Sequence, residues 1–186
     1  MHGLGNDFVI IDQRKLQINL NKELICRIAN RQRGVGCDQV AIILKNPQTD
    51  AELVFFNSDG STSTTCGNAT RCIARHLMQD LHKSKLTLTT GNKILTAKDL
   101  GQGLISVNMG NPEMEWNNIP ISEEIDTLRL PIEGSPTATG MGNPHCTFFV
   151  DDVDQIDLED LGPKFENHPL FPEKTNVQFA SVLGSN

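Results

Sequence analysis

No part of this 186-residue sequence is apolar for long. The longest unbroken aliphatic run is Val40 to Leu44, whereas a bilayer-spanning helix needs roughly 20 such residues. A membrane span is therefore not expected. Positive charge is scarce too. Lys and Arg number 16 against 23 Asp and Glu, a net charge of −7, and pI is about 5.1. With no local cluster of cations, a nucleic-acid footprint is excluded. The five cysteines contain no C-x-x-C pair, which argues against a disulfide framework and against a structural zinc site with closely paired ligands. The N-terminus lacks a basic flank followed by an apolar stretch, so a signal peptide is not read there and the cytosol is the expected compartment. What remains, 21% charged and 38% hydrophobic with a mean hydropathy of −0.28, is the composition of a globular domain.

The chain reads as α+β with much antiparallel sheet. Phe8-Val9-Ile10-Ile11 is a short buried strand after the turn-forming Gly3 to Asp7. Leu24, Ile25, Ile28 and Ala29 have helical spacing, with Asn21 as N-cap and Gly34 as a stop. Val40–Leu44 and Leu53–Phe56 are strand-like. A second helix is predicted from near Cys66 to Leu81, its apolar stripe being Ala69, Ile73, Leu77 and Leu81. Leu86–Thr90, Ile94–Ala97 and Leu104–Val107 then read as antiparallel hairpins. Asn111 to Ser122 reads as a linker. Beyond it, strand candidates Cys146–Val150 and Val177–Val182 flank an irregular acidic segment.

One echo stands out. Gly3-Leu4-Gly5-Asn6 returns as Gly140-Met141-Gly142-Asn143, each followed by an apolar strand. If the repeat is real, the chain consists of two related halves, and an equivalent of Cys66 in the second would fall beyond the last residue.

Cys66-Gly67-Asn68 is the most reactive-looking segment. A cysteine at the first turn of a helix sits at the positive end of the macrodipole, where free N–H groups favour thiolate and anions. The plainer reading of Cys66 is a small buried hydrophobe. Cys26, Cys37 and Cys72 read as structural. Cys146 reads as core, although it adjoins His145. Asn6, Gln39, Asn57, Asn68, Asn143 and Asn176 form a second constellation, all in turns or at element ends. Turn propensity explains them one by one. Together they could ring a zwitterion, because an amide offers donors and an acceptor without carrying charge.

Several blocks resemble the diaminopimelate epimerase family. They are Met1 to Phe8, Arg33 to Gln39, Phe56 to Ser61, Cys66 to Cys72, Val107 to Gly110, Met141 to Cys146 and Thr175 to Val177, in that order. The resemblance implies two pseudo-symmetric α/β halves, largely antiparallel sheet around a central helix, with residues 1–112 as the first half and 113–186 as an incomplete second half. It places the site in the cleft between them. It also implies a cofactor-independent isomerase, with no metal, that interconverts LL- and meso-diaminopimelate in lysine and peptidoglycan-precursor synthesis. Two cysteines on opposite faces of the substrate α-carbon would exchange its proton. Carried over by position, Cys66 is one base. Gly67, Asn68, Asn6, Asn57, Asn143 and Asn176 contact substrate, and Gln39 lies near the same pocket. A homodimer in the cytoplasm, with an amino acid as the partner molecule and neither nucleic acid nor membrane, is the implied setting.

The sequence departs from the family in one chemical respect. The second cysteine belongs to a later A-C-G-[ST]-G-A segment, preceded by E-R-G-x-G-E-T, and neither segment occurs here. Cys146 does not match that context. The resulting expectation is a C-terminally truncated epimerase with impaired turnover. The alternatives are a racemase for another amino acid, such as histidine, or a non-catalytic remnant that binds an amino acid.

Overall fold

Short apolar runs separated by Gly- and Asn-rich turns cannot bury themselves singly, so they pair edge to edge. In the computed structural model, which describes residues 1–16 and 18–184, the chain divides into two compact units, Met1–Gly110 and Asn111–Asn186.

The first unit holds strands β1 (His2–Gly3), β2 (Asn6–Asp12), β3 (Gln39–Leu44), β4 (Ala51–Asn57), β5 (Thr62–Ser63), β6 (Lys85–Thr90), β7 (Lys93–Asp99) and β8 (Ile105–Asn108). They form one sheet in the order β1-β2-β3-β4-β6-β7-β8, with β5 added on β4. Only β2–β3 and β4–β6 pair in parallel; the other pairs are antiparallel. Helix α1 (Lys22–Ala29) crosses from β2 to β3, and the Asn21 side chain accepts from Leu24 N at 2.9 Å as its N-cap. Helix α2 (Gly67–Leu81) is the central element. Its stripe Ala69, Ile73 and Leu77 is wholly buried against Phe8, Ile43, Phe55 and Leu88, while Leu81 packs at the margin. Burying each large aliphatic side chain stabilises by about 1.5–3 kcal/mol.

The second unit holds β9 (Thr137–Gly140), β10 (Pro144–Phe149), a 3-10 turn at Val153–Gln155, helix α3 (Leu158–Glu166) and β11 (Asn176–Ala180). The sheet order is β11-β10-β9. Its core joins Phe148, Phe165, Phe171 and Leu130, with the Phe148 ring 4.8 Å from Phe179 in a stacked pair.

Two sequence readings are corrected here. Asn111 to Ser122 is no linker, because Ile119 and Ile121 lie in the core of the second unit. Ile121 N donates to Trp116 O at 2.9 Å and Ser122 N to Leu170 O at 3.0 Å. Pro112, Pro120 and the Asn and Glu residues between them read as loop and masked the apolar residues Trp116, Ile119 and Ile121, which is why the burial was not legible. The acidic segment before β11 is also not irregular throughout, since it contains α3. Asp157 caps this helix by accepting from Asp160 N at 3.1 Å, and the acids that made the segment look like loop sit at the favourable end of its dipole.

The G-x-G-N echo is structural. In the first copy, Leu4 and Gly5 both take positive φ, 54° and 86°, and turn β1 antiparallel onto β2. In the second, Gly142 takes φ 98° between antiparallel β9 and β10. The next strand is parallel in both. Phe8↔Gln39 through Asp12↔Ile43 reappears pair for pair as His145↔Asn176 through Phe149↔Ala180. A single sequence offset carries Gly3 to Gly140, Phe8 to His145 and Gln39 to Asn176. In each copy a short capped helix, α1 or α3, makes the crossover.

Candidate active site

Parallel strands start at the same end of a sheet, and an antiparallel neighbour finishes there. Asn6 opens β2, Gln39 opens β3 and Asn57 closes β4, so all three fall at one end of the first sheet. Gln39 and Asn57 are direct cross-strand partners. Gln39 Nε2 donates to Asn57 Oδ1 at 3.0 Å, and Asn57 Nδ2 donates to Ser61 Oγ at 3.0 Å. Ser61 in turn donates to Asp59 Oδ1 at 2.6 Å. The loop is pinned from behind by α1. A Cβ on Gly60, whose φ is 77°, would stand 2.6 Å from the Lys22 side chain. Gln39 Oε1 is buried without a hydrogen-bond partner among the described residues, an arrangement that costs stability unless a ligand supplies the donor.

The start of α2 lies against the β1 turn. A Cβ at Gly3 would stand 3.4 Å from the Asn68 side chain, and the Cys72 thiol donates to His2 O at 3.4 Å. Gly3 pairs with Asn6, so Asn6 is held near the same helix start. Cys66 is the N-cap itself, with extended backbone. Its sulfur accepts from Ala69 N at 3.4 Å, and its carbonyl accepts from Thr70 Oγ1 at 2.8 Å. Gly67 leaves the approach to the helix start open, its nearest neighbours being Arg71 and Met109 at 3.9 and 4.0 Å from where a Cβ would be. Arg71 donates to Asn68 Oδ1.

The electrostatics of Cys66 correct a simple dipole argument. Burial pushes the thiol above its ordinary value, and the N–H groups of Ala69 and Asn68 pull against that without overcoming it. The helix end alone, with its partial charge, does not make a thiolate here because desolvation penalises the charged form more. Cys37 is raised by burial as well, and burial drives Cys146, fully inside its sheet, to about 12.

In the second unit Asn143 stands just before β10 and Asn176 opens β11, again at one end of a sheet. Asn176 Nδ2 donates to Pro144 O at 3.0 Å. Asn143 Oδ1 lies 3.0 Å from His145 Nε2. Thr175, adjoining Asn176, buries its hydroxyl oxygen without a partner among the described residues. Gln39 corresponds to Asn176 in register, so the second orphaned oxygen lies one residue before the counterpart of the first. Sequence reasoning noted His145 only as a neighbour of Cys146 and passed over Gln178, Ser61 and Arg71, which become visible once strand register is known. Among the described residues no three His, Cys, Asp or Glu side chains gather as a metal-ion site, and no helix is long and apolar enough to cross a membrane.

The diaminopimelate epimerase family model matches residues 1–115 and 137–186. The chain belongs to the diaminopimelate epimerase family. It is 48% identical over 195 residues to the diaminopimelate epimerase of Pelagibacter ubique (strain HTCC1062), covering all of this chain and 71% of that protein. It is 44% identical over 187 residues to that of Acidiphilium cryptum (strain JF-5), covering 98% and 67%, so it spans about two thirds of the length of these epimerase relatives. Among solved structures it superposes on a phenazine biosynthesis protein of the PhzF family from Bacillus anthracis with a TM-score of 0.60 at 18% identity, covering 99% of this chain and 64% of that one. A second PhzF-family protein, from Enterococcus faecalis, gives 0.50 at 14% identity, covering 90% and 60%. At such identities the likeness is one of fold, and it confirms the mixed α+β architecture. The gap in the family match, residues 116–136, overlaps the second part of the segment first read as linker.

Proposed function

We propose that this chain acts on diaminopimelate, with Cys66 as one of the two acid–base groups of a cofactor-independent epimerisation. The observation that carries this reading is the Cys66 thiol at the N-cap of α2, under the Ala69 N–H and at the amide-lined end of the sheet. The reaction takes the α-proton from one face of the substrate carbon and returns a proton to the other. Cys66 as thiolate accepts the proton and becomes a thiol. The C–H electron pair stays on the α-carbon as a carbanion delocalised into the carboxylate, and a second acid protonates that carbon from the opposite face. Without an electron sink such as PLP, the developing charge must be met by oriented N–H donors in a site that excludes water.

A raised thiol suits this task in one respect. It lowers the thiolate population at neutral pH, but the thiolate that forms is a stronger base toward a weakly acidic C–H. The amides divide the binding. After their internal bonds, Asn68 and Asn143 keep NH2 groups for carboxylate oxygens, while Gln39 and Asn176 keep carbonyl oxygens for an ammonium. Asn57 is engaged at both ends of its amide and acts by holding Gln39; Asn6 and Gly67 complete the approach to the α-carbon. Neither Cys26, Cys37, Cys72 nor Cys146 is assigned the second transfer. Cys37 and Cys146 are buried, Cys72 donates to a backbone carbonyl, and Cys26 lies on α1. The free state of all five thiols fits a reducing cytoplasm, and a homodimer is the assembly we expect.

Incubating the 186-residue chain with diaminopimelate in D2O tests the reading. Deuterium should enter the α-position, and Cys66→Ala should abolish that entry. Exchange that persists undiminished in Cys66→Ala overturns the assignment, and exchange with another amino acid but not with diaminopimelate overturns the substrate.

A further inference from the structure

Four side chains on the β10–β11 pair form one hydrogen-bonded file. Thr147 Oγ1 donates to Gln178 Oε1 at 3.0 Å. Gln178 Nε2 lies 3.1 Å from His145 Nδ1, and His145 Nε2 lies 3.0 Å from Asn143 Oδ1. The strands build this arrangement. Thr147 faces Gln178 across the parallel pair and His145 faces Asn176, so 145, 147 and 178 share one face of the sheet.

The file has a direction. A carboxamide nitrogen can only donate, so His145 Nδ1 is the acceptor and the ring proton sits on Nε2. That proton is given to Asn143 Oδ1, which leaves the Asn143 NH2 group turned away from the file. Half-burial lowers the His145 pKa, in keeping with a neutral ring. A file with every donor and acceptor exchanged would place the proton on Nδ1 and turn the Asn143 oxygen outward. The two directions offer a substrate opposite groups, NH2 for a carboxylate or oxygen for an ammonium.

We propose that Gln178 is a positioning residue that fixes the His145 tautomer and, through the imidazole, presents the Asn143 NH2 group to a carboxylate of the amino-acid substrate. The proposal deepens the functional reading above and rests on Asn143 being a substrate contact. It assigns to an exposed strand residue the choice of which end of a zwitterion Asn143 recognises.

The test is a long-range 15N NMR correlation of the imidazole in the unliganded full chain, which separates bare from protonated ring nitrogens. The expected pattern is bare Nδ1 and protonated Nε2 for His145. Gln178→Glu replaces the donor by an acceptor, so Nδ1 should become protonated. Gln178→Met supplies neither, so the two tautomers should mix, and diaminopimelate binding by calorimetry should weaken roughly tenfold. A protonated Nδ1 in the unmodified chain, or an Nδ1 signal unmoved in Gln178→Glu, overturns the proposal. The expected tautomer pattern in a chain that binds no diaminopimelate supports the relay and removes only the substrate reading.

Discussion

The two copies of the β-turn-β-α-β repeat share a backbone and differ in chemistry. In the first, the strand starts are tied by charge. Arg31 donates to both Asp7 oxygens at 2.8 and 2.9 Å and to Asp38 Oδ1 at 2.9 Å, and Asp38 N donates to Asp7 Oδ1 at 2.8 Å. In the second, the corresponding strands are tied by the uncharged Thr147–Gln178–His145–Asn143 file. The first unit then continues through β4 to α2 and its N-cap thiol, whereas the thiol of the second unit, Cys146, is sealed within β10. One register can therefore carry an ionic clamp or an amide–imidazole relay. What a repeat conserves is strand pairing, while the side chains at the strand starts decide what each copy does.

The cores offer the strongest challenge to this comparison. Phe148→Ala removes a ring stacked on Phe179 and 4.5 Å from Phe165, and should cost about 3–5 kcal/mol in urea unfolding. Ile73→Ala, in the buried stripe of α2, should cost about 2–5 kcal/mol. A negligible loss in either would show that its unit lacks the packing described. The thiols come next. Cys66→Ala should lower α-proton exchange by at least about 100-fold, the lower range for a positioned acid–base group. Cys146→Ala should leave exchange per folded molecule unchanged while costing about 0.5–3 kcal/mol of stability. The rate should also rise with pH through a value above that of an ordinary thiol, because burial raises Cys66.

Asn57→Leu removes the partner of Gln39 Nε2 and should weaken substrate affinity roughly tenfold by freeing the Gln39 amide to turn. The smallest effects are those of pH on stability, with Asp7 acting on the acid side and the buried thiols on the alkaline side. Hydrogen bonds from Arg31 hold the Asp7 carboxyl below the ordinary carboxylate range. Its stabilisation is thus present above the unfolded value of about 3.9 and is lost as acid protonates the folded carboxylate. Cys146 is raised to about 12. Between about 8.5 and that value the unfolded thiol ionises while the folded one does not, so stability falls with rising pH. In Arg31→Leu the acid limb should shrink with the alkaline limb untouched. Only a modest change is expected, because the pair is exposed.

Much of the local structure was legible in the sequence. Asn21 announced α1, the Ala69-Ile73-Leu77 stripe announced α2, and Gly3-Leu4-Gly5-Asn6 announced its own repeat. These signals are short-range: a cap, a 3.6-residue period, a pair of positions needing positive φ. Ile119, Ile121 and α3 were not legible, since the prolines and polar residues around the isoleucines, like the acids at a helix start, resemble loop. His145 was in view, but Gln178 was not, because nothing in sequence links two residues on different strands.

Periodicity, caps and turn residues determined by themselves that this is an α+β chain, because those features act within a few residues of the backbone, and the ordered motif blocks carried the resemblance to the diaminopimelate epimerase family that the family match bears out. Strand register decided which amides meet and which of their atoms stay uncommitted, and packing at the start of α2 decided that desolvation outweighs the helix end at Cys66. Those outcomes depend on distances between segments remote in sequence, and on how much water each group loses when the segments pack.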